Sequence, residues 1–253
     1  MKVLMVSKSG FCMKQVALVT GGSGNLGQAI CKQLAKDGYV IALHYRGDDD
    51  KPHAIKCFIE SHGGSCFIYK CDFLEPRKIE LMFHNIEQQL GRIDVLINNA
   101  GIDGGRFQID KTPLDVHEAV LAVNYFAAVE CIRLASQIMK KRGLAGRIVN
   151  ISSQAAIYGG YNLSHYAASK AALSGYSIGA AKQLMQDNIR LNSISPGVVE
   201  SDKLTTDKVK SLLSEIPANR LATPDDIASV VSWLVSDSAA YVSGATIPVT
   251  GAR

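Results

Sequence analysis

A chain of 253 residues, 47% apolar and 20% charged, has the size and composition of one soluble globular domain. Its formal net charge of +4 is slight and scattered, and the longest basic run, Lys140-Lys141-Arg142, suits a solvated helix end rather than a nucleic-acid surface. No uninterrupted apolar run reaches the ~18–20 residues of a membrane span. Six cysteines (Cys12, Cys31, Cys57, Cys66, Cys71 and Cys131) show no CxxC pair and no Cys/His ligand spacing. Small buried hydrophobes are therefore expected, with no disulfide framework and no metal site. Residues 1–12 read as an N-terminal extension. Its short apolar run is broken by Ser7, Lys8 and Ser9, unlike a signal peptide, so a cytoplasmic location is expected.

In chain order, apolar runs of strand length recur at 16–20, 40–45, 66–71, 94–98, 147–151, 189–195 and 245–249. Helical periodicity fills the gaps. Residues 25–37 place Leu26, Ile30 and Leu34 on one face and stop at Gly38. Residues 76–90 do the same with Ile79, Met82, Phe83, Ile86 and Leu90, with Pro76 opening the first turn and Gly91 closing the last. Strands alternating with helices predict an α/β fold: one doubly wound, seven-stranded parallel sheet with helices on both faces. No linker or repeat divides residues 13–253, which read as a single domain.

Ligands of such sheets bind beyond the carboxyl ends of the strands. The first strand runs into TGGSGNLG (20–27), the second into His44-Tyr45-Arg46 and the third into Asp72. The fourth runs into NNAG (98–101), the fifth into Ser152-Ser153 and the sixth into Pro196-Gly197. Glycine-rich or polar chemistry therefore gathers on one rim. Within HYAASKAAL (165–173), Tyr166 and Lys170 stand at i, i+4 and share a helix face. A phenol titrates near 10, and a neighbouring ammonium lowers that value at about 1.4 kcal/mol per unit. Tyr166 is thereby a candidate general acid for a carbonyl.

Taken together, TGGSGNLG, Asp72, NNAG, Asn124 in AVNYFA, Ser153 placed 13 residues before Tyr166, YAASK and Pro196-Gly197 resemble the short-chain dehydrogenase/reductase family. The resemblance runs from about residue 13 to the C-terminus and implies a Rossmann fold. It implies that Tyr166 is the proton donor and that Ser153 bonds the substrate oxygen. Lys170 would lower the tyrosine pKa and hold the nicotinamide ribose, and Asn124 would support a proton-relaying water. Ser152 and His165 are expected to have no catalytic role. The nicotinamide cofactor would supply the hydride. Gly21, Ser23, Gly24, Asn25 and Leu26 would face its pyrophosphate, and Asp72 and Phe73 its adenine. Asn99, Ala100 and Gly101 would line the adenosine ribose and the nicotinamide side, while Pro196, Gly197, Val199 and Ser201 would hold the carboxamide. Asn25 replaces a family glycine, and its tolerance of left-handed backbone and capping ability are expected to preserve the loop.

The acidic residue that would bind a ribose 2′-hydroxyl is absent: Tyr45 occupies that position and Arg46 follows. A guanidinium there favours a 2′-phosphate, so NADP(H) is preferred and NAD(H) remains an alternative. The C-terminal third looks most like 3-oxoacyl-acyl-carrier-protein and acetoacetyl-CoA reductases. Those enzymes meet an acidic carrier through basic residues. Here Arg142 is displaced by one residue, and Asp187-Asn188 occupies the second basic position, where a carboxylate would repel the carrier. The substrate-covering segment 202–216 is short. Oxoacyl thioesters, other ketones, sugars and polyols all remain open, as does acyl carrier protein as a partner. A non-catalytic dinucleotide sensor is disfavoured by the intact Ser, Tyr and Lys. The resemblance further implies a homotetramer.

Overall fold

A computed structural model describes residues 14–201 and 204–253. The expected extension at 1–12, with Cys12, lies outside the described residues. The chain alternates β1 (Val16–Val19), α1 (Asn25–Lys36), β2 (Val40–Tyr45), α2 (Asp50–Ser61), β3 (Ser65–Lys70), α3 (Pro76–Leu90) and β4 (Val95–Asn98). It continues through α4 (Leu114–Leu121), α5 (Ala127–Arg142), β5 (Arg147–Ile151), α6 (Ala155–Tyr158), α7 (Ser164–Leu184) and β6 (Arg190–Pro196). It closes with α8 (Thr206–Leu213), α9 (Pro224–Val235) and β7 (Thr246–Val249). The seven strands pair in parallel in the order β3-β2-β1-β4-β5-β6-β7.

Period-two alternation divides each strand between two cores. Val16 and Leu18 of β1 face the core formed with α3, α5 and α7, while Ala17 and Val19 face the one formed with α1, α2 and α9. The strand order reverses between β1 and β4, so the loops after those strands diverge and leave a crevice. α3 opens on Pro76 and ends at Gly91 in the left-handed region at φ 75°. α4, a π turn at Ala122–Phe126 and α5 form one helix, Leu114–Arg142, which by length and composition alone could cross a membrane. The lack of a long apolar run in the sequence did not anticipate this. Its apolar residues Val120, Val123, Ala127, Cys131, Ala135 and Met139 are buried within the protein.

The turn after β1 depends on glycine. Gly21 sits at φ 63°, and a Cβ on Gly27 would lie 2.1 Å from the Gly21 oxygen. Asn25 corrects one expectation. It is neither left-handed nor the cap, because Gly24 caps α1 and Asn25 is the first helical residue. Its Nδ2 instead donates to the Glu200 carbonyl at 2.5 Å and ties the turn to the loop after β6.

His44, at the end of β2, braces the same turn. Its Nδ1 accepts from the Gly21 N–H at 3.0 Å, so the ring proton is on Nε2, which donates to the Cys71 carbonyl at 3.0 Å. The ring also stacks on Phe73 at 4.1 Å and 2°. Burial pushes its pKa down to about 4. The neutral ring is therefore favoured in the fold, and the unfolded chain takes up a proton first as pH falls below ~6.5. Unfolding free energy should fall by about 3 kcal/mol between pH 6.5 and 4 on this account. In urea titrations across that range, His44→Asn should flatten the slope, and an unchanged slope would remove His44 as its source.

Candidate active site

Six strand ends build a groove along the carboxyl rim. One part, a cleft of about 430 Å³, is lined by Gly21, Ser23, Gly24, Asn25 and Leu26 from the glycine turn. Arg46, Asp72, Phe73, Asn99, Ala100 and Gly101 complete its walls. A second cleft of about 430 Å³ is lined by Ser153, Tyr166, Lys170, Pro196, Gly197 and Val199. Leu26, Asn99, Gly101 and Ile102 belong to both, so the two are continuous.

The junction is rigidly braced. Thr20 Oγ1 accepts from the N–H groups of Asn99 and Ala100, both at 3.0 Å. Asn99 Nδ2 returns bonds to the carbonyls of Thr20 at 2.9 Å and Gly21 at 3.1 Å. Asn124 lies in the π turn, an irregularity often found at functional sites. Its amide grips Ile102 through both backbone groups, at 2.8 and 2.9 Å, and donates to Ser169 at 2.9 Å. A Cβ on Gly101 would come within 3.2 Å of Asn124 Oδ1 and 3.4 Å of Lys170 Nζ, so a side chain there would crowd the groove.

At the catalytic end, α6 begins just beyond Ser153, whose Oγ accepts from the Ala155 N–H at 3.1 Å. Ser152 turns inward, bonding Ser174 at 2.8 Å and the Lys170 carbonyl at 3.3 Å. Lys170 is 4% exposed, donates from Nζ to the Ile151 carbonyl at 2.7 Å and lies 5.9 Å from the Tyr166 ring centre. Burial pushes its pKa down to about 8. Tyr166 departs from the expected direction. Burial pushes the phenol up, the Asp103 carboxylate adds to that, and only the hydrogen bond with Ser153 opposes it. Desolvation of the phenol dominates, although Lys170 Nζ lies on the same side of the helix.

Most sequence-predicted residues meet in this groove. Asp72 and Phe73 line its adenosine end, where Asp72 Oδ1 accepts from the Leu74 N–H at 3.0 Å and Phe73 backs His44. Arg46 is exposed at the same end and makes no ion pair among the described residues. Ser201 is not brought in. After Val199 the chain forms a bridge to Ala222, Glu200 N–H donates to the Ala222 carbonyl at 2.9 Å, and Ser201 lines a separate cleft with Leu204 and Leu213. Four residues lacked a predicted role: Thr20 and His44, whose only sequence signal was a polar side chain at a strand end, and Asp103 and His165, which are joined by a hydrogen bond at the catalytic end. Among the described residues no cluster of three or more His, Cys, Asp or Glu could hold a metal ion.

Residues 22–251 match a family model described as enoyl-(acyl carrier protein) reductase. The 3-oxoacyl-(acyl-carrier-protein) reductase FabG of Staphylococcus aureus is 32% identical over 94% of this chain and 98% of its own length. The acetoacetyl-CoA reductase of Allochromatium vinosum is 34% identical, covering 94% and 98%. Among solved structures, a blue fluorescent protein from a metagenomic library in complex with NADPH superposes with TM-score 0.87 at 31% identity, covering 94% of this chain and 97% of its own. An NAD+-bound xylitol dehydrogenase does so with TM-score 0.88 at 28% identity, covering 95% and 100%. With this groove, sheet order and similarity, the chain belongs to the short-chain dehydrogenase/reductase family of NAD(P)-dependent oxidoreductases acting on CH–OH/C=O groups.

Proposed function

We propose that the chain reduces a carbonyl with NADPH, or runs the reverse oxidation, and that a 3-oxoacyl thioester is its leading substrate class. The observation that carries this reading is the continuous groove, with Arg46 at one end and Ser153, Tyr166 and Lys170 at the other. The residues fit a dinucleotide: Gly21, Ser23, Gly24, Asn25 and Leu26 line the cleft at the N-terminus of α1, where backbone N–H groups would meet a pyrophosphate. Arg46 would hold a 2′-phosphate and Asp72 the adenine. Asn99, Ala100 and Gly101 would line the riboses, and Pro196, Gly197 and Val199 the carboxamide. The bound nicotinamide supplies or accepts a hydride. Tyr166 gives its proton to the substrate oxygen, and Ser153 hydrogen-bonds that oxygen as charge develops there. Lys170, poised near neutrality, holds the ribose and supports the tyrosine. Asn124 keeps the Gly101-Ile102 backbone in place beside them.

The homology with 3-oxoacyl and acetoacetyl-CoA reductases favours a thioester. Docking of an acyl carrier protein has less support, since Asp187 is acidic where a basic residue is expected and pairs with Lys140 at 2.5 Å, while Arg142 pairs with Glu87 at 3.5 Å. A free CoA thioester or small ketone is the second reading on that observation. We also propose a homotetramer, supported by exposed Phe126 in the π turn before α5, Ile178 on α7, Trp233 on α9 and Tyr241 in the segment before β7. A cytoplasmic location accords with the free cysteines among the described residues.

Following NADPH absorbance over a panel of 3-oxoacyl thioesters, small ketones and sugars tests the reading, which fails if none is turned over. Tyr166→Phe should lower kcat at least about a hundredfold while NADPH titration shows Kd within about threefold. Arg46→Asp should raise the KM for NADPH about tenfold and that for NADH much less. Equal loss with both cofactors would remove the phosphate role.

A further inference from the structure

Resting on the carbonyl-reductase reading, we infer that Asp103 sets the charge of the substrate, selecting carbonyl compounds that are uncharged beside the reacting carbon and rejecting oxo acids. Asp103 lines the cleft with Ser153 and Tyr166. Among the described residues lining that cleft, the charged side chains are Asp103 and Lys170. Lys170 is buried and donates to the Ile151 carbonyl, so its ammonium is less open to an incoming substrate. Asp103 is exposed to the cleft. Its Oδ1 accepts from the Gly105 N–H at 3.1 Å, and Oδ2 has no hydrogen bond among the described residues.

The position of this carboxylate is built into the fold. His165 is 2% exposed, and its Nε2–H donates to the Asp103 carbonyl at 2.8 Å. The loop that carries Asp103 is thereby fastened to the residue preceding Tyr166. Gly104 holds φ 75°, and a Cβ there would lie 2.5 Å from Val120 Cγ2 and 3.2 Å from His165 Cδ2. The loop has one course, tight against α4 and α7. His165, which the sequence left without a role, acts as a positioning residue for Asp103. The phenol of Tyr166 already registers the charge, since Asp103 contributes to its raised pKa.

A carboxylate on a substrate that has its carbonyl oxygen at Ser153 and Tyr166 would face Asp103 with like charge, which opposes binding. An ester, a thioester or a hydroxylated carbon carries no such charge, and a hydroxyl could donate to the open Oδ2. The guanidinium nearest in sequence, Arg106, donates to the Tyr161 carbonyl at 3.1 Å and does not line the cleft. Among the described residues lining the cleft, Asp103 is thus the exposed charge. A CoA thioester meets this condition, because its phosphates are remote from the ketone.

The test compares acetoacetate with methyl acetoacetate, two ketones that differ in charge and by one ester methyl group. The readout is the ratio of kcat/KM for the acid to that for the ester. In the wild type it should be well below one and rise with ionic strength from about 0.02 M to about 0.5 M, as screening predicts. Asp103→Asn should raise the ratio about tenfold, equivalent to about 1.4 kcal/mol, and Asp103→Lys should raise it further. If the pair is inert while another ketone is reduced, the ratio is read from inhibition by 3-hydroxybutyrate and its methyl ester. A ratio constant within twofold across the three proteins overturns the assignment of Asp103 alone. Absence of turnover with every carbonyl overturns the underlying reading instead.

Discussion

The constraint on which the site depends is the cross-brace between the ends of β1 and β4. These two strands are neighbours in the sheet, but the chain leaves them in opposite directions. A crevice opens there, and its floor would be loose backbone without further bonds. Thr20, 1% exposed, prevents this with one hydroxyl that accepts from two N–H groups, while the Asn99 amide returns two bonds. Because the glycine turn is held at this distance, Gly27 packs on the Gly21 oxygen without room for a methyl group. The bracing extends outward through His44 to the end of β3 and through Asn25 to the loop after β6. One set of short polar links thus joins the strand ends that line the groove.

Burial sets the electrostatics of the catalytic end. Desolvation disfavours the charged form of every group it touches, so it raises a phenol and lowers an ammonium. Tyr166 and Lys170 move in those opposite directions, which brings the ammonium toward neutrality and keeps the phenol protonated. A protonated tyrosine is the form that can donate to a carbonyl. The carboxylate of Asp103 works in the same direction at Tyr166, so one residue both favours the acid form and colours the cleft with negative charge. Each end of the groove carries one side chain of each sign, Arg46 with Asp72 at one and Lys170 with Asp103 at the other, and of the second pair Lys170 is buried while Asp103 is exposed.

Much of the architecture was legible before any coordinates. The predicted strand at 40–45 is β2 to the residue, and the helix at 76–90 is α3 with its proline start and glycine stop. These features succeed because period-two and period-3.6 burial patterns are local properties of a chain. The misreadings have a shared physical origin. Asn25 was read by its own backbone preferences, but its amide is used by Glu200, 175 residues away. Ser201 follows a motif, and the structure lines a neighbouring cleft with it, beside Leu204 and Leu213. The i, i+4 spacing does bring Lys170 beside Tyr166, 5.9 Å from its ring centre, but burial of the phenol, which spacing does not reveal, raises its pKa.

The sequence by itself determined the alternation of strands and helices, the gathering of glycine and polar residues at strand ends, and the placing of Tyr166 and Lys170 on one helix face. Each follows from spacing along a few turns of chain. Only the tertiary structure decided which proton each group holds, where Ser201 goes, and that Asp103 stands beside Tyr166 with His165 fastening it there. Desolvation and Coulomb interactions depend on which distant segments fill the space around a group, and that is fixed when the sheet and its helices close over it.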